Sequence, residues 1–467
     1  MKKTKLITTH KKSLADTLTP VSIYLKLRDK FANTILLESS DYHGKQNRFS
    51  YICCIPIASY EVKDEIIRTE ITGSAETAPI KERKQVIESL TDFMQSFESE
   101  QQPYEFISNG AFGFISYDAV RYFEEVDIEK VNNDLPDIHY KVFQIVIAVD
   151  QFKNELYIFE NRPEGEKESR LQVIEDHLKN KSFPSFQFAK SGEETTNYSD
   201  EEFMDIISKG RDHCFRGDVF QIVVSRKFQQ RFKGDEFNVY RSLRSINPSP
   251  YLFYFDFGNY RLFGSSPEAQ IDIKAQKASI YPIAGTFRRT GDDEADRELA
   301  TQLSNDPKEN SEHVMLVDLA RNDLSIHGEN VEVEVFKEVQ FYSHVIHLVS
   351  KVSASIPSGH KTLQLAADTF PAGTLSGAPK HKALQLIDQY ENNNRAYYGG
   401  AIGFIGFNGD FNHAIMIRTF LSKDNQLTYQ AGAGVVAKSD VPSELQEVHN
   451  KLEALRKAMN YAEKIEG

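Results

Sequence analysis

The chain has 467 residues, 40% of them hydrophobic, and a formal net charge of -13; this length exceeds the size at which one core keeps growing, so two domains or one large multilayer domain are expected. The acidic balance, with a pI near 5.6, lacks the basic face that a nucleic-acid partner needs. The opening MKKTKLITTHKKSL has positive charges but no apolar run behind them, so it reads as neither secretory signal nor membrane anchor, and a cytoplasmic protein without a membrane partner is expected.

In chain order, NTILLESSD, RFSYICCI, NGAFGFISYDAV and YKVFQIVIAVD are short, rich in β-branched and aromatic residues and bounded by turn formers, which predicts strands. Within them Cys53 and Cys54 are adjacent, and Cys214 is the third and last cysteine; an odd count with an adjacent pair suits reduced core thiols better than disulfides or zinc. From about residue 160 the composition turns to Lys, Glu, Ser and Asn, beginning with a helical ESRLQVIEDHLKN and ending in KSGEETTNYSD, a surface connection. The division is thus 15–160, a connection over 161–198, and a second region over 199–462.

Ser199 with Glu202 spells a capping box for a helix through about Cys214. DVFQIVVSRKFQQRF follows as a strand, as do YLFYFDF, RLFGSS, AQIDIKA, ASIYPI, AIGFIGF, HAIMIRTFL and LTYQAGAG, while residues 308–323, 360–368, 377–391 and 441–464 read as helices. The fold class expected is α+β, with large antiparallel β-sheets packed between outer helices in αββα layers.

Two of these helices carry acids at helical spacing: Glu309 and Glu312 on one, Glu444, Glu447 and Lys451 on the other. Residues three or four apart share a helix face. Facing each other, the helices would bring carboxylates together for a hard cation such as Mg²⁺, which takes one or two carboxylates directly and completes its shell with water and substrate oxygens. Either pair alone reads more simply as exposed acids, with Glu447 and Lys451 an i,i+4 ion pair. Elsewhere, Gly432 and Gly434 in AGAG permit backbone N–H groups to approach an anion, or mark a Gly-rich strand end. Arg418 ends the apolar IMI and needs a planar anion if buried, either a substrate carboxylate or a neighbouring acid. His347 in HVIHLVS reads as a core histidine or a catalyst. Glu268 in GSSPEA is either a desolvated proton donor or a surface turn.

Together, PKENSEHVMLVDLARNDL over 307–324 and FPAGTLSGAPK over 370–380 resemble the signatures of the chorismate-utilising enzymes, in particular the anthranilate synthase component I branch, and the resemblance runs from about Leu36 to Lys457. It implies Mg²⁺ held by Glu312 and Glu447, with Glu309 and Glu444 as supporting acids. It implies that Tyr398 and Arg418 hold the enolpyruvyl carboxylate of chorismate, and that Gly285, Thr286 and the backbone of Gly432, Ala433 and Gly434 line the substrate, with Lys451 close to a carboxylate. Glu268 is nominated as general acid, with His347 and Thr374 associated with catalysis and orientation.

Within the family, water-using relatives carry a lysine base where this chain has Gln221, and the para-directing aminodeoxychorismate synthase component I has a lysine where this chain has Ala284. Ammonia as nucleophile and anthranilate as product are implied. The chain has no glutaminase segment of its own, which implies a glutamine amidotransferase partner. LLESSD and NPSPYLFY resemble the two halves of a tryptophan feedback site at Glu38, Ser39, Pro250, Tyr251 and Leu252. The other readings are the para-directing component and a non-catalytic small-acid sensor.

Overall fold

A computed structural model describes residues 3–39, 49–100, 102–130, 134–341, 345–357 and 362–465, with the side chain of Thr286 also outside the description. The strands form one hydrogen-bonded network, and among the described residues every pairing is antiparallel except that of Thr4–Leu6 with Phe97–Ser99. Register divides the network into two sheets. The first runs from Phe188–Thr196 through Gln221–Gly234, Gln426–Val436, Thr419–Lys423, Tyr260–Ser266, Tyr251–Asp256 and Ile35–Glu38 to the start of Phe49–Lys63. The second runs from Ile66–Ile71 across the end of Phe49–Lys63 to Ile138–Asp150, Gly110–Ile115, Ala401–Gly406, Phe411–Ile415, Ala269–Lys274, Lys277–Ile280 and Val345–Ser355. The long strands Phe49–Lys63 and Ile138–Asp150 pass through both, and their register slips between Pro56 and Ala58. Ile57 is the extra residue there, and Ile55 just before it takes φ of 62°, a bulge that bends a strand from one sheet into the next.

Among the described residues the three largest apolar cores follow the layers. Helices Pro20–Leu27, Asp200–Arg216, Phe237–Ile246 and Val441–Ala462 bury their apolar stripes on the outer face of the first sheet. Helices Gln85–Gln95, Pro307–Ser325 and Thr362–Asp368 do so on the second. Between the sheets lies a core drawn mostly from strands and joined by loop residues such as Tyr397 and Tyr398, many of its members aromatic. The molecule is therefore α+β with αββα layers, as expected. Because strand neighbours face opposite ways, Cys53 enters the core between the sheets and Cys54 the core under the helices. All three thiols are free and buried, and burial pushes those of Cys53 and Cys54 far above their ordinary range.

Several local expectations need correction. The Ser199 capping box forms, and its helix ends at Gly217 in the left-handed region at φ of 81°. KSGEETTNYSD is not a plain connection: Phe188–Thr196 is an edge strand on Phe228–Gly234, disguised by its exposed polar face. The helix expected over 377–391 starts at Lys380, because Gly377 and Ala378 pair with Gln221 and Ile222; the start of the one expected over 360–368 lies outside the described residues, and it runs Thr362–Asp368. HAIMIRTFL is two strands, Phe411–Ile415 and Thr419–Lys423, separated where Arg418 takes φ of 50°. Among the described residues no helix is long and apolar enough to cross a membrane.

That break has a counterpart. The chain leaves the first sheet at Ser266 and enters the second at Ala269, with Glu268 in the crossing. It leaves the second at Ile415 and enters the first at Thr419, with Arg418 in the crossing. The crossings are laced together: the Ile415 N–H donates to the Glu268 carbonyl at 2.9 Å, and the Ser265 N–H to the Arg418 carbonyl at 3.2 Å.

Candidate active site

A cavity of about 640 Å³ opens where these crossings meet the helices Pro307–Ser325 and Val441–Ala462. Glu268, Arg418, Thr374, His347, Gly285 and Tyr398 line it on the sheet side. Glu309 and Glu312 come from one helix, and Glu444, Glu447 and Lys451 from the other. Gly432 and Gly434 lie on its wall, while Ala433 between them turns its methyl group into the core behind, as strand alternation requires. What Ala433 offers this side is backbone only. The Thr286 side chain lies outside the described residues, although its backbone pairs with His347.

The glycines are needed for close approach. A Cβ on Gly432 would lie 2.7 Å from the Val224 carbonyl and 3.1 Å from the Tyr398 hydroxyl, and one on Gly434 2.7 Å from the Gln221 amide nitrogen. Gly285 has φ of 72°, and a Cβ there would meet the Leu303 side chain at 2.6 Å, so its carbonyl is presented by a backbone that other residues rarely adopt.

That carbonyl accepts from Nδ1 of His347 at 3.0 Å. The ring is therefore protonated on Nδ1, with Nε2 an acceptor while it is neutral, and burial pulls its pKa down. The Glu268 carboxyl is pushed up to about 7 by burial, against the opposing pull of the Thr374 hydroxyl and the charges of Lys451 and Arg418. The Thr374 hydroxyl donates to Glu268 Oε1 at 2.9 Å. Arg418 feels the charge of Glu268, and burial lowers its pKa. A neutral-ready acid thus sits beside a half-buried cation, the arrangement in which a carboxyl can donate a proton near neutral pH.

Across the cavity the acids crowd one another. Burial raises Glu309, Glu312 and Glu444, and the charge of Glu447 raises all three further, across the gap in the case of Glu309 and Glu312. Glu444 Oε2 is buried with no hydrogen-bond partner. Lys451 bridges Glu447 at 2.7 Å and the Gly432 carbonyl at 2.8 Å. Among the described residues no three acids, histidines or cysteines gather closely enough to hold a metal unaided. Oxygen donors on two facing helices, mutually repelling and one of them orphaned, fit a hard divalent cation that keeps water and substrate in its shell.

Residues 42–457 match the family described as chorismate binding enzyme. The chain belongs to the chorismate-binding enzyme family. Within it the chain is 36% identical to anthranilate synthase component 1 of Aquifex aeolicus, covering 96% of this chain and 94% of that protein. It is 35% identical to the protein of the same name from Lactococcus lactis, over 95% and 98%. The fold matches anthranilate synthase component I from Streptococcus pneumoniae with a TM-score of 0.78 at 29% identity, over 95% and 99% of the chains. The menaquinone-specific isochorismate synthase from Escherichia coli shares the family's fold at a TM-score of 0.74 and 16% identity, over 98% and 95%.

Away from this cavity, register sets Glu38 opposite Leu252 on adjacent strands. The Glu38 carboxylate accepts from the Tyr240 hydroxyl at 2.6 Å and from Nε of Arg244 at 2.9 Å. Glu38 and Tyr251 also line a second, much smaller cavity with Phe404 and Asn412. Ser39 and Pro250 are half-buried at the strand ends, and the segment after Ser39 lies outside the described residues. The halves LLES and NPSPY, more than 200 residues apart in sequence, are thus neighbours.

Sequence reasoning missed Gln430, Asn247 and Asn450, which also line the large cavity. Gln430 is buried with its Oε1 unpartnered. The signal was present: Gln430, Gly432 and Gly434 alternate on one face of a strand.

Proposed function

We propose that the chain is the large subunit of an anthranilate synthase, converting chorismate and ammonia to anthranilate and pyruvate, with ammonia delivered from glutamine by a partner amidotransferase subunit. One observation carries this reading: a single cavity sets Glu268, raised to about 7 and bonded to Thr374, beside Arg418 and opposite two acid-bearing helices. The full-length likeness to proteins named anthranilate synthase component 1 supports it.

In this reading Tyr398 and Arg418 hold the enolpyruvyl carboxylate. Glu268 gives its proton to the C4 hydroxyl, a poor leaving group until protonated. Gln221 on the wall has no basic group with which to deprotonate water, so ammonia, already nucleophilic, adds at C2. His347, held by the Gly285 carbonyl, accepts the C2 proton as the C3–oxygen bond breaks and the ring becomes aromatic; the enolpyruvate released takes a proton from water on its methylene carbon to become pyruvate. Glu312 and Glu447 would hold Mg²⁺, with Glu309 and Glu444 beside them, and the bound ion would orient and polarise the ring through its carboxylate.

The test is to incubate the purified chain with chorismate, Mg²⁺ and ammonium at mildly alkaline pH, following anthranilate fluorescence and product masses. Anthranilate with pyruvate is expected. Aminodeoxychorismate would move the assignment to the para-directing branch, and unconsumed chorismate would overturn the catalytic reading.

We also infer feedback inhibition by L-tryptophan at Glu38, Ser39, Pro250, Tyr251 and Leu252. The support is the register that joins the two halves and the adjoining cavity. Tyr251 pairs with Ser266, two residues before Glu268, so a ligand there would act on the strand that leads into the acid. Added tryptophan is expected to suppress the activity above, and full activity at saturating tryptophan would remove this assignment.

A further inference from the structure

Behind the cavity wall lies a buried ion pair that no step of the reaction uses. Arg395 is 2% exposed and Glu391, which ends the helix Lys380–Tyr390, is 4% exposed. Nε of Arg395 donates to Glu391 Oε2 at 2.9 Å, and Nη2 to Oε1. Glu391 Oε1 also accepts from the Ser225 N–H at 2.7 Å and from its hydroxyl at 3.0 Å. The guanidinium then reaches two backbone carbonyls, Leu375 through Nη1 at 2.6 Å and Val223 through Nη2 at 2.7 Å. It lies over the Tyr117 ring at 4.7 Å and near that of Tyr398 at 5.9 Å.

A buried pair of this kind is poor evidence for stability, because apolar residues of equal volume fill such space as well or better. What apolar residues do not supply is a planar fork that fixes several backbone segments at set angles. Each segment held by Arg395 is a wall of the cavity. Leu375 follows Thr374 in the turn Gly373–Leu375, and Val223 lies on the strand beginning at Gln221. Tyr398 is three residues beyond Arg395, its N–H donating to the Arg395 carbonyl at 3.1 Å. The Val223 N–H donates to the Ser376 carbonyl at 2.9 Å, and Gly377 and Ala378 beyond it pair with Ile222 and Gln221, so the strand is tied to the chain after the turn, while Arg395 ties it to the turn itself.

We propose that Arg395 is a positioning residue for the proton donor: its guanidinium clamps the Leu375 carbonyl to the Val223 strand so that the Thr374 hydroxyl reaches the Glu268 carboxyl. This rests on the reading of Glu268 as the acid that protonates chorismate. The clamp is specific to the fork, since a lysine ammonium keeps the charge beside Glu391 but, as a point donor on a flexible stem, does not hold both carbonyls and the carboxylate in one plane.

The experiment compares Arg395→Lys, Thr374→Val and the double variant in the full chain. With ammonium and Mg²⁺, kcat for chorismate consumption is expected to fall about 10²-fold in R395K, as for a misplacement of roughly 1 Å, with KM little changed. In the double variant it should fall no further than in T374V alone, because both changes break one contact. A second readout needs no turnover: the infrared carbonyl stretch of protonated Glu268, identified by its loss in E268Q, should move to higher frequency in R395K as in T374V. If R395K loses its cooperative unfolding transition, E391Q/R395M, which removes both charges together, carries the same readouts. Multiplicative losses in the double variant with an unmoved stretch would overturn the proposal. A moved stretch without consumption of chorismate would instead fail the reading of function and leave the clamp standing.

Discussion

Glu312→Gln or Glu447→Gln is expected to abolish Mg²⁺-dependent turnover, a loss of about 10³-fold or more if the ion supplies several kcal/mol of transition-state stabilisation. The fold should survive, and for a specific reason. Glu312 is raised by burial and then by the charges of Glu309 and Glu447, so neutralising one member relieves repulsion in the metal-free protein. The melting temperature without Mg²⁺ should hold or rise, while the increase produced by added Mg²⁺ disappears. Mg²⁺ titrations of activity and of melting temperature, run on both variants, check the two halves together. A variant that keeps full Mg²⁺-dependent activity would break the assignment of these acids.

Glu268→Gln is expected to cost about 10² to 10⁴-fold in kcat, the range for removal of a general acid. Burial disfavours the charged carboxylate and holds the group protonated up to about pH 7, although Thr374, Lys451 and Arg418 pull the other way. The sign follows: an acid catalyst works below its pKa, so kcat/KM should decline above about pH 7. Because ammonium itself deprotonates over the alkaline range, the profile must be taken at constant free ammonia. The declining limb should be absent from the residual rate of E268Q. Persistence of that limb in E268Q, or an undiminished rate, would remove Glu268 from this role.

The layer architecture was legible because each strand carries its own alternation and each long helix its own stripe. Helices Pro307–Ser325 and Val441–Ala462 came out within a few residues of their expected spans, and their acids face one cavity. The two-strand nature of HAIMIRTFL was not legible, since apolar residues continue through Met416 and Ile417 while the backbone turns at Arg418. Ala433 follows directly from the alternation: its methyl group enters the core behind the strand, and its backbone is left to the cavity between Gly432 and Gly434. Arg395 gave no signal at all: in ENNNRAYYGG it reads as an exposed charge after a polar run, and only the fold brings Leu375 and Val223 to it. Periodicity reports which face a residue occupies, but a side chain that binds backbone carbonyls far away in sequence leaves no period to read.

The two crossings between sheets have a consequence for how such a molecule changes over generations. Glu268 and Arg418 stand in short spans between Ser266 and Ala269 and between Ile415 and Thr419, where side chains answer to the cavity and are released from the alternation that both sheets impose. A substitution there alters what is done to a bound molecule at little expense to the scaffold, whereas one inside a flanking strand disturbs a core. The same framework recurs at 16% identity in the menaquinone-specific isochorismate synthase from Escherichia coli, so the layered scaffold tolerates wide change in sequence.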